Sequence, residues 1–556
     1  MRFQRLVQIA LFVLFALLLW QAKYPLAEGL PVDLFLRLDP TILLGTMLVS
    51  GTWITDLFRG LAVLLLALVL GRFFCGYVCP LGATVDAADW MIRRKKPGRN
   101  GNAAEGNTRI QAWKYLLLFA VFCSVLAGVS LVFLVSPISL ATRFYTVTVY
   151  PVLLSLADSC LWFVENISSY LGLDGAGYLQ IKHVSFNANV FTAFFVTGLL
   201  LLGLLRPRFW CRNVCPAGAM FALCSRKPMV RRTVNDRCTD CGACIRSCPM
   251  GAISNEPQRT AHSECIVCLK CMEVCPENAV SFRWTFEKNA APAVDPGKRR
   301  LVLSGCAGLA AGLLLKTNVG SVQGSAKDLV ISRVRILRPP GALPEEAFLD
   351  RCVRCGECMK ACPTNTLQPV WFETGIDGVW SPKLAARYAA CEQACNLCGR
   401  VCPTGAVRPL SLDEKKYAKI GTAFIDRSRC IAWEEDRACL ICDEICPYNA
   451  IVMRPVTDNR NTVPFVNENK CNGCGYCENK CPVLGEAAIR VSPHGELRLF
   501  DGSYERTAQA HGLVFHAKGG LEESFSFTKP KQDGNTSPEI PPVPSPDQLP
   551  PGFTSD

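Results

Sequence analysis

Histidine is almost absent. There are five in 556 residues, at positions 183, 262, 494, 511 and 516. None pairs with another across an apolar stretch, which argues against a b-type haem held between membrane helices. No C-x-x-C-H occurs, which argues against covalently attached c-type haem. No G-x-G-x-x-G opens a helix after a strand, and there is no Walker A sequence. A nicotinamide, flavin or nucleotide site is therefore not indicated. Cysteine, in contrast, is abundant, with 32 residues. Disulfide scaffolds this rich in cysteine are usually small and carry no transmembrane bundle. This chain has several long apolar runs, so its cysteines point to metal.

The apolar runs and the cysteines are segregated. Apolar runs lie before about residue 210, apart from one short stretch near 305, and most cysteines follow residue 237. A membrane part followed by a cysteine-rich soluble part is the expected plan. The net charge of +12 gathers largely beside the apolar runs, where it sets membrane orientation. Nucleic acid is not an expected partner.

A spanning helix takes about 20 mostly apolar residues. Four stretches approach this: 6–20, 57–74, 113–135 and 190–205. The first is short enough for a signal peptide, but Gln21-Ala22-Lys23 is a poor cleavage site and further runs follow, so it is expected to be retained. The loops MIRRKKPGRN and CSRKPMVRR, after the second and fourth runs, are the basic ones. They are expected in the cytoplasm together with the N-terminus. The two opposite loops contain RLDPTILLGTMLVSG and VSPISLATRFYTV. Each opens on a proline followed by an apolar stretch, and each reads as an interfacial or re-entrant helix.

Residues 1–225 thus read as an α-helical bundle of four spans in two parallel repeats. Each repeat is helix, proline-led segment, helix and cysteine turn. The turns are RFFCGYVCPLGA, from Arg72 to Ala83, and RFWCRNVCPAGA, from Arg208 to Ala219. An axis along the membrane normal would bring Cys75, Cys79, Cys211 and Cys215 together. Four thiolates suit an iron–sulfur cluster or zinc. Cysteine pairs that merely form turns, or redox-active thiols, account for the same spacing, and the sequence leaves these open.

From residue 238 the pattern C-x2-C-x2-C-x3-C-P occurs twice, as Cys238, Cys241, Cys244 and Cys248, then Cys265, Cys268, Cys271 and Cys275. Three close cysteines hold one [4Fe–4S] cluster and the fourth reaches the other. The expected sets are Cys238, Cys241, Cys244 with Cys275, and Cys265, Cys268, Cys271 with Cys248. Four further quartets end in C-P: Cys352, Cys355, Cys358, Cys362; Cys391, Cys395, Cys398, Cys402; Cys430, Cys439, Cys442, Cys446; and Cys471, Cys474, Cys477, Cys481. Six [4Fe–4S] clusters in α+β ferredoxin-like modules follow. Which of the last four quartets exchange their fourth cysteine is open: neighbours, or outer with outer and inner with inner. Of the remaining cysteines, Cys123, Cys160 and Cys224 are expected to pack as small hydrophobes.

The organisation expected is a membrane domain at 1–225, a cytoplasmic two-cluster ferredoxin at 226–285, a linker at 286–325, a four-cluster polyferredoxin at 326–525 and a disordered proline-rich tail at 526–556. Within the linker, KRRLVLSGCAGLAAGLLLK resembles a signal-peptide core and contains Leu303-Ser304-Gly305-Cys306, like a lipoprotein-processing box. It is expected to carry residues 317–556 out of the cytoplasm, either as a fifth span or as a cleaved signal.

The C-x3-C-P turns with an adjoining two-cluster ferredoxin resemble the NapH family of membrane ferredoxins and its relative MauN, over residues 1–285. Residues 298–525 resemble NapG and MauM, periplasmic ferredoxin-type partners. The resemblance implies a fusion of the two in the bacterial cytoplasmic membrane. It implies oxidation of quinol from the membrane pool, with electrons passed to a periplasmic acceptor such as a cytochrome or a molybdenum reductase, and a place in a larger respiratory complex. It also leaves two other roles: an accessory electron donor for metalloenzyme maturation, as in NosR-like membrane ferredoxins, or a passive anchor and wire. No motif marks the quinone pocket. Arg143 and the proline-led segments are its candidate neighbours on the outer side.

Overall fold

A computed structural model describes residues 3–515, apart from 27–28, 30, 95–107, 171–182, 188, 285–295, 317–335, 374 and 458. The expected tail after 525 lies outside the described residues.

Two helical units follow one plan. In the first, α1 (Phe3–Gln21) leads to α2 (Pro40–Ser50), capped by Asp39, whose carboxylate accepts from the Thr41 N–H at 2.9 Å. Pro40 fills the first helical position, where its missing N–H costs nothing. Then come α3 (Arg59–Leu70), the first cysteine turn and α4 (Pro80–Arg94). The second unit has α5 (Trp113–Leu126), the proline-led α6 (Pro137–Glu165), α7 (Asn189–Leu201), the second cysteine turn and α8 (Pro216–Cys224).

Two expectations change. The Pro137 segment is not a short re-entrant piece but a continuous 29-residue helix. Pro151 would break it by lacking an N–H and crowding the preceding turn. A π-helical stretch at Phe144–Val149 lies just before it and widens the helix there. Conversely, three expected spans are short, at 12, 14 and 13 residues for α3, α5 and α7. Gly71 and Gly128, at φ +71° and +81°, follow the ends of α3 and α5. Among the described residues α1 and α6 are the helices long and apolar enough to cross a membrane. Helix length alone therefore marks two spans, not four.

The units interlock at both ends of α3. At its start, Ser136 Oγ, the cap of α6, donates to Asp39 Oδ2 at 2.7 Å. The buried carboxylate thus sits at the positive ends of α2 and α6. At the far end, about 16 Å along the helix, the two cysteine turns meet.

Within the expected linker, α9 (Lys298–Lys316) packs along α5. Its glycines face inward: a Cβ on Gly308 would overlap the Ala120 carbonyl, and one on Gly312 would stand 2.8 Å from Ala127 Cβ. Its leucines, among them Leu303, Leu309 and Leu313, face outward. Small residues at the contact let the two helix backbones approach closely. Gly308→Leu is expected to detach α9, seen as faster hydrogen exchange across residues 298–316.

The cysteine-rich segments form small antiparallel pairs. β1 (Val230–Val234) pairs with β2 (Val280–Trp284), Val230 opposite Trp284. β3 (Leu367–Pro369) pairs with β4 (Pro382–Leu384). The last four are nested: β5 (Thr422–Ile425) and β8 (Ile489–Ser492) form the outer pair, β6 (Ile451–Arg454) and β7 (Val463–Val466) the inner one. The first module seats on the cysteine turns, with the Tyr77 hydroxyl donating to the Val267 carbonyl at 2.7 Å. The second seats at the capped ends of α2 and α6. There Ser139 Oγ donates to the Val353 carbonyl at 2.5 Å and Lys360 Nζ to the Ala22 carbonyl at 3.0 Å.

Candidate metal centres

In four of the six quartets the three close cysteines share a loop because a residue with positive φ follows the second one. Gly242, Gly356 and Gly475 take φ +66°, +87° and +88° at equivalent places, and Leu269 takes +59°. The left-handed turn starts a short helix that presents the third cysteine. The fourth cysteine precedes its proline and accepts backbone N–H bonds on sulfur: Ala252 to Cys248, Ala279 to Cys275 and Ala450 to Cys446, each at 3.3 Å.

Cys238, Cys241, Cys244 and Cys275 line one cavity, and Cys265, Cys268, Cys271 and Cys248 the next, the exchange expected from the sequence. For the later quartets, neighbours exchange. Cys430, Cys439 and Cys442 share a cavity with Cys481, and Cys471, Cys474 and Cys477 with Cys446. Cys402 lies within charge reach of Cys352, Cys355 and Cys358, and Cys362 of Cys391, Cys395 and Cys398. The Cys391 N–H donates to the Cys474 carbonyl at 2.8 Å, joining the two modules.

These sets fit a multi-iron group better than a single ion. Each joins three thiols of one quartet to the fourth of its neighbour, the ligand arrangement of paired [4Fe–4S] groups. Burial, together with neighbouring thiolates, pushes Cys271 up to about 11 and Cys442 up to about 12. Arg212 adds a second sign. Its guanidinium is 1% exposed and none of its three nitrogens has a hydrogen-bond partner, yet it lies within charge reach of Cys248. A buried, unpartnered cation is costly, and the net negative charge of thiolate-bound iron–sulfur would offset it.

The structure also brings Cys75, Cys79, Cys211 and Cys215 together, all buried in one apolar cluster and within charge reach of one another. The arginine that opens each turn crosses to the other. Arg72 Nη2 donates to the Cys211 carbonyl and Arg208 Nη1 to the Cys75 carbonyl, both at 3.1 Å. Arg72 also bonds Glu264 at 2.6 Å, and Arg208 Nε bonds Asp86 at 2.7 Å. Gly82 and Gly218 follow the prolines because the helix packs onto the preceding turn. A Cβ there would stand 2.7 Å from the Cys75 carbonyl oxygen or 2.6 Å from Arg72 Nη2. Arg72, Arg208 and Glu264 were not candidates from the sequence. The first two had a signal, R-F-x-C at both turns.

Arg143 lies within charge reach of Cys352 and Cys355. It is buried, stacks 3.9 Å over the Trp380 ring and donates to the Phe133 carbonyl. These contacts place it at the seat of the second module. Cys123 is buried and Cys224 partly so, as expected, but Cys160 is exposed on α6.

Family models agree with this map. A 4Fe-4S binding domain matches residues 57–99 and 188–234, covering both cysteine turns. A 4Fe-4S dicluster domain matches 231–276, another matches 437–484, and a 4Fe-4S binding domain matches 348–368. The chain therefore contains [4Fe–4S] ferredoxin modules. It is 41% identical over 186 residues to the methylamine utilization ferredoxin-type protein MauM of Methylobacillus flagellatus, covering 32% of this chain and 76% of that one. It is 36% identical over 210 residues to MauM of Methylorubrum extorquens, covering 36% and 90%. It is 36% identical over 166 residues to the ferredoxin-type protein NapG of Escherichia coli, covering 28% and 70%. No solved structure matches.

Proposed function

The chain belongs to the family of ferredoxin-type proteins that contains MauM and NapG, and from that premise we propose that it is a membrane-bound quinol dehydrogenase that joins a NapH-like membrane unit to the family's polyferredoxin. Iron–sulfur electron transfer is the family's chemistry. Quinol oxidation, the membrane, the fusion and the acceptor are this reading's additions. When bound, a [4Fe–4S] group takes up or gives up one electron, and oxidation of one quinol to quinone releases two electrons and two protons.

The observation that carries the reading is the order of the thiol quartets. Arg208 lies within charge reach of both Cys268 and Cys211, linking the first module to the shared quartet. Cys355 belongs to the same apolar cluster as Cys75 and Cys211, and Cys358 lies within charge reach of Cys398. The Cys391–Cys474 bond continues the line. A bilayer core is about 30 Å thick, but the second module seats at the Asp39 end of α3, about 16 Å along the helix from the cysteine turns. Residues 226–285 would then face the cytoplasm and residues 317–556 the periplasm. Six quartets, or seven with the shared one, would bridge the two sides. Lipid contact is supported by the large apolar side chains exposed on α1, α3, α6, α7 and α9, such as Val13, Leu65, Phe163, Phe194 and Leu313.

The test is anaerobic reduction of the purified protein by a menaquinol analogue, followed by EPR and iron counting. Reduced [4Fe–4S] signals with at least about 24 irons per chain are expected. Full iron content without reduction by quinol would move the reading to a relay fed by a protein partner. Arg212→Leu is expected to lower the potential of the centre at Cys248, Cys265, Cys268 and Cys271 by on the order of 50 mV, because a nearby positive charge favours the reduced form. An EPR redox titration reads this shift.

A further inference from the structure

A cavity of about 980 Å³ opens between α1, α4 and the Cys248 loop, a volume that holds a cofactor-sized ligand. Its walls divide by chemistry. Ile9, Trp90 and Met91 form an apolar mouth, and all three are exposed to the surroundings. Deeper, Phe12 and Tyr145 meet edge to face with ring centroids 5.7 Å apart. The Tyr145 and Thr84 hydroxyls lie 2.8 Å apart. Thr84 donates to the Pro80 carbonyl at 2.9 Å, so Tyr145 is the donor within the pair and its oxygen keeps lone pairs that can accept. Beside them Gln8 Nε2 donates to Asp86 Oδ2 at 2.9 Å. The opposite wall carries Cys248, one of the cysteines placed above in a thiol quartet.

Tyr145 lies on the π-helical stretch of α6, and such stretches recur at functional sites. A ligand suited to this cavity has a flat ring, polar hydrogen on an oxygen substituent, and an apolar tail that leaves through the mouth. It would also bring its ring within reach of a one-electron centre. We infer that the cavity binds the head group of an isoprenoid quinol, with Tyr145 accepting from a quinol hydroxyl and the tail passing Ile9 and Trp90. The inference rests on the quinol reading above and assigns it a place. That place is on the side of the cysteine turns, not beside Arg143.

The test uses the full-length, iron-loaded protein in lipid nanodiscs, with a hydroxyquinoline N-oxide quinol analogue followed by fluorescence quenching. Wild type is expected to bind it saturably. Ala87→Phe, which fills the cavity from its wall, is expected to weaken binding by at least about tenfold, and Tyr145→Phe by about fivefold through loss of one hydrogen bond. Iron content and dithionite-generated EPR signals should stay as in wild type. If wild type binds the analogue and both variants bind it equally well, the site is elsewhere and this inference is overturned while the quinol reading stands. If wild type binds no analogue and no quinol reduces its clusters, the quinol reading itself fails, and this inference with it.

Discussion

Glu264→Gln is expected to loosen the first ferredoxin module from the cysteine turns, with amide exchange across residues 262–275 faster by two to three orders of magnitude. Glu264 is 2% exposed and holds three donors: Arg72 at 2.6 Å, the Tyr115 hydroxyl at 3.0 Å, and Lys114. Removing its charge leaves two buried cations without a counter-charge. Breaking a buried ion pair from one side costs about 3–5 kcal/mol. The same residue predicts a pH response. Burial pushes its carboxyl up, but the charges of Lys114 and Arg72 outweigh burial and hold it below its ordinary 4.5. Its contribution is therefore complete above about pH 4.5 and is lost as pH falls through the lower folded value. Exchange at residues 262–275 should rise on acidification in wild type, and this step should be missing in Glu264→Gln.

Glu264 also marks where sequence reasoning stops. It stands one residue before Cys265 and looks like any acidic loop residue, because its partners on α5 and the first cysteine turn lie at least 149 positions away. The quartets were legible for the opposite reason. Three of their four thiols lie on one loop, so ligand spacing is a local property. The destination of the fourth cysteine is a tertiary property, and for Cys362, Cys402, Cys446 and Cys481 it emerged only from the packing of successive modules. Helix lengths failed for local causes the hydropathy pattern hides. Gly71 and Gly128 end helices inside apolar runs, and the π-helical stretch carries α6 past Pro151. The duplication was legible in R-F-x-C and C-P-x-G-A. The crossing of Arg72 and Arg208 was not, since a repeat shows that two places are alike without showing that they touch.

Cys75→Ser combined with Cys211→Ser is expected to lower the iron content from about 28 to about 24 per chain, to leave the EPR signals of the six ferredoxin quartets in place under dithionite, and to abolish quinol-driven reduction of the four distal ones. The two cysteines come from opposite repeats and share one buried cluster with Cys79 and Cys215, so the double change removes half of one donor set and no part of another. Serine keeps the size of the side chain, and the carbonyls of residues 75 and 211 remain to accept from Arg208 and Arg72, so the clamp between the turns should persist. Dithionite reaches the ferredoxin modules directly, whereas electrons entering beside Cys248 must pass through the helical unit to reach the distal quartets. An unchanged iron count would show that the four thiols hold no cluster. A lowered count with undiminished quinol reduction of the distal quartets would show that electrons bypass the shared site, and would return the quinone to the outer face beside the second module.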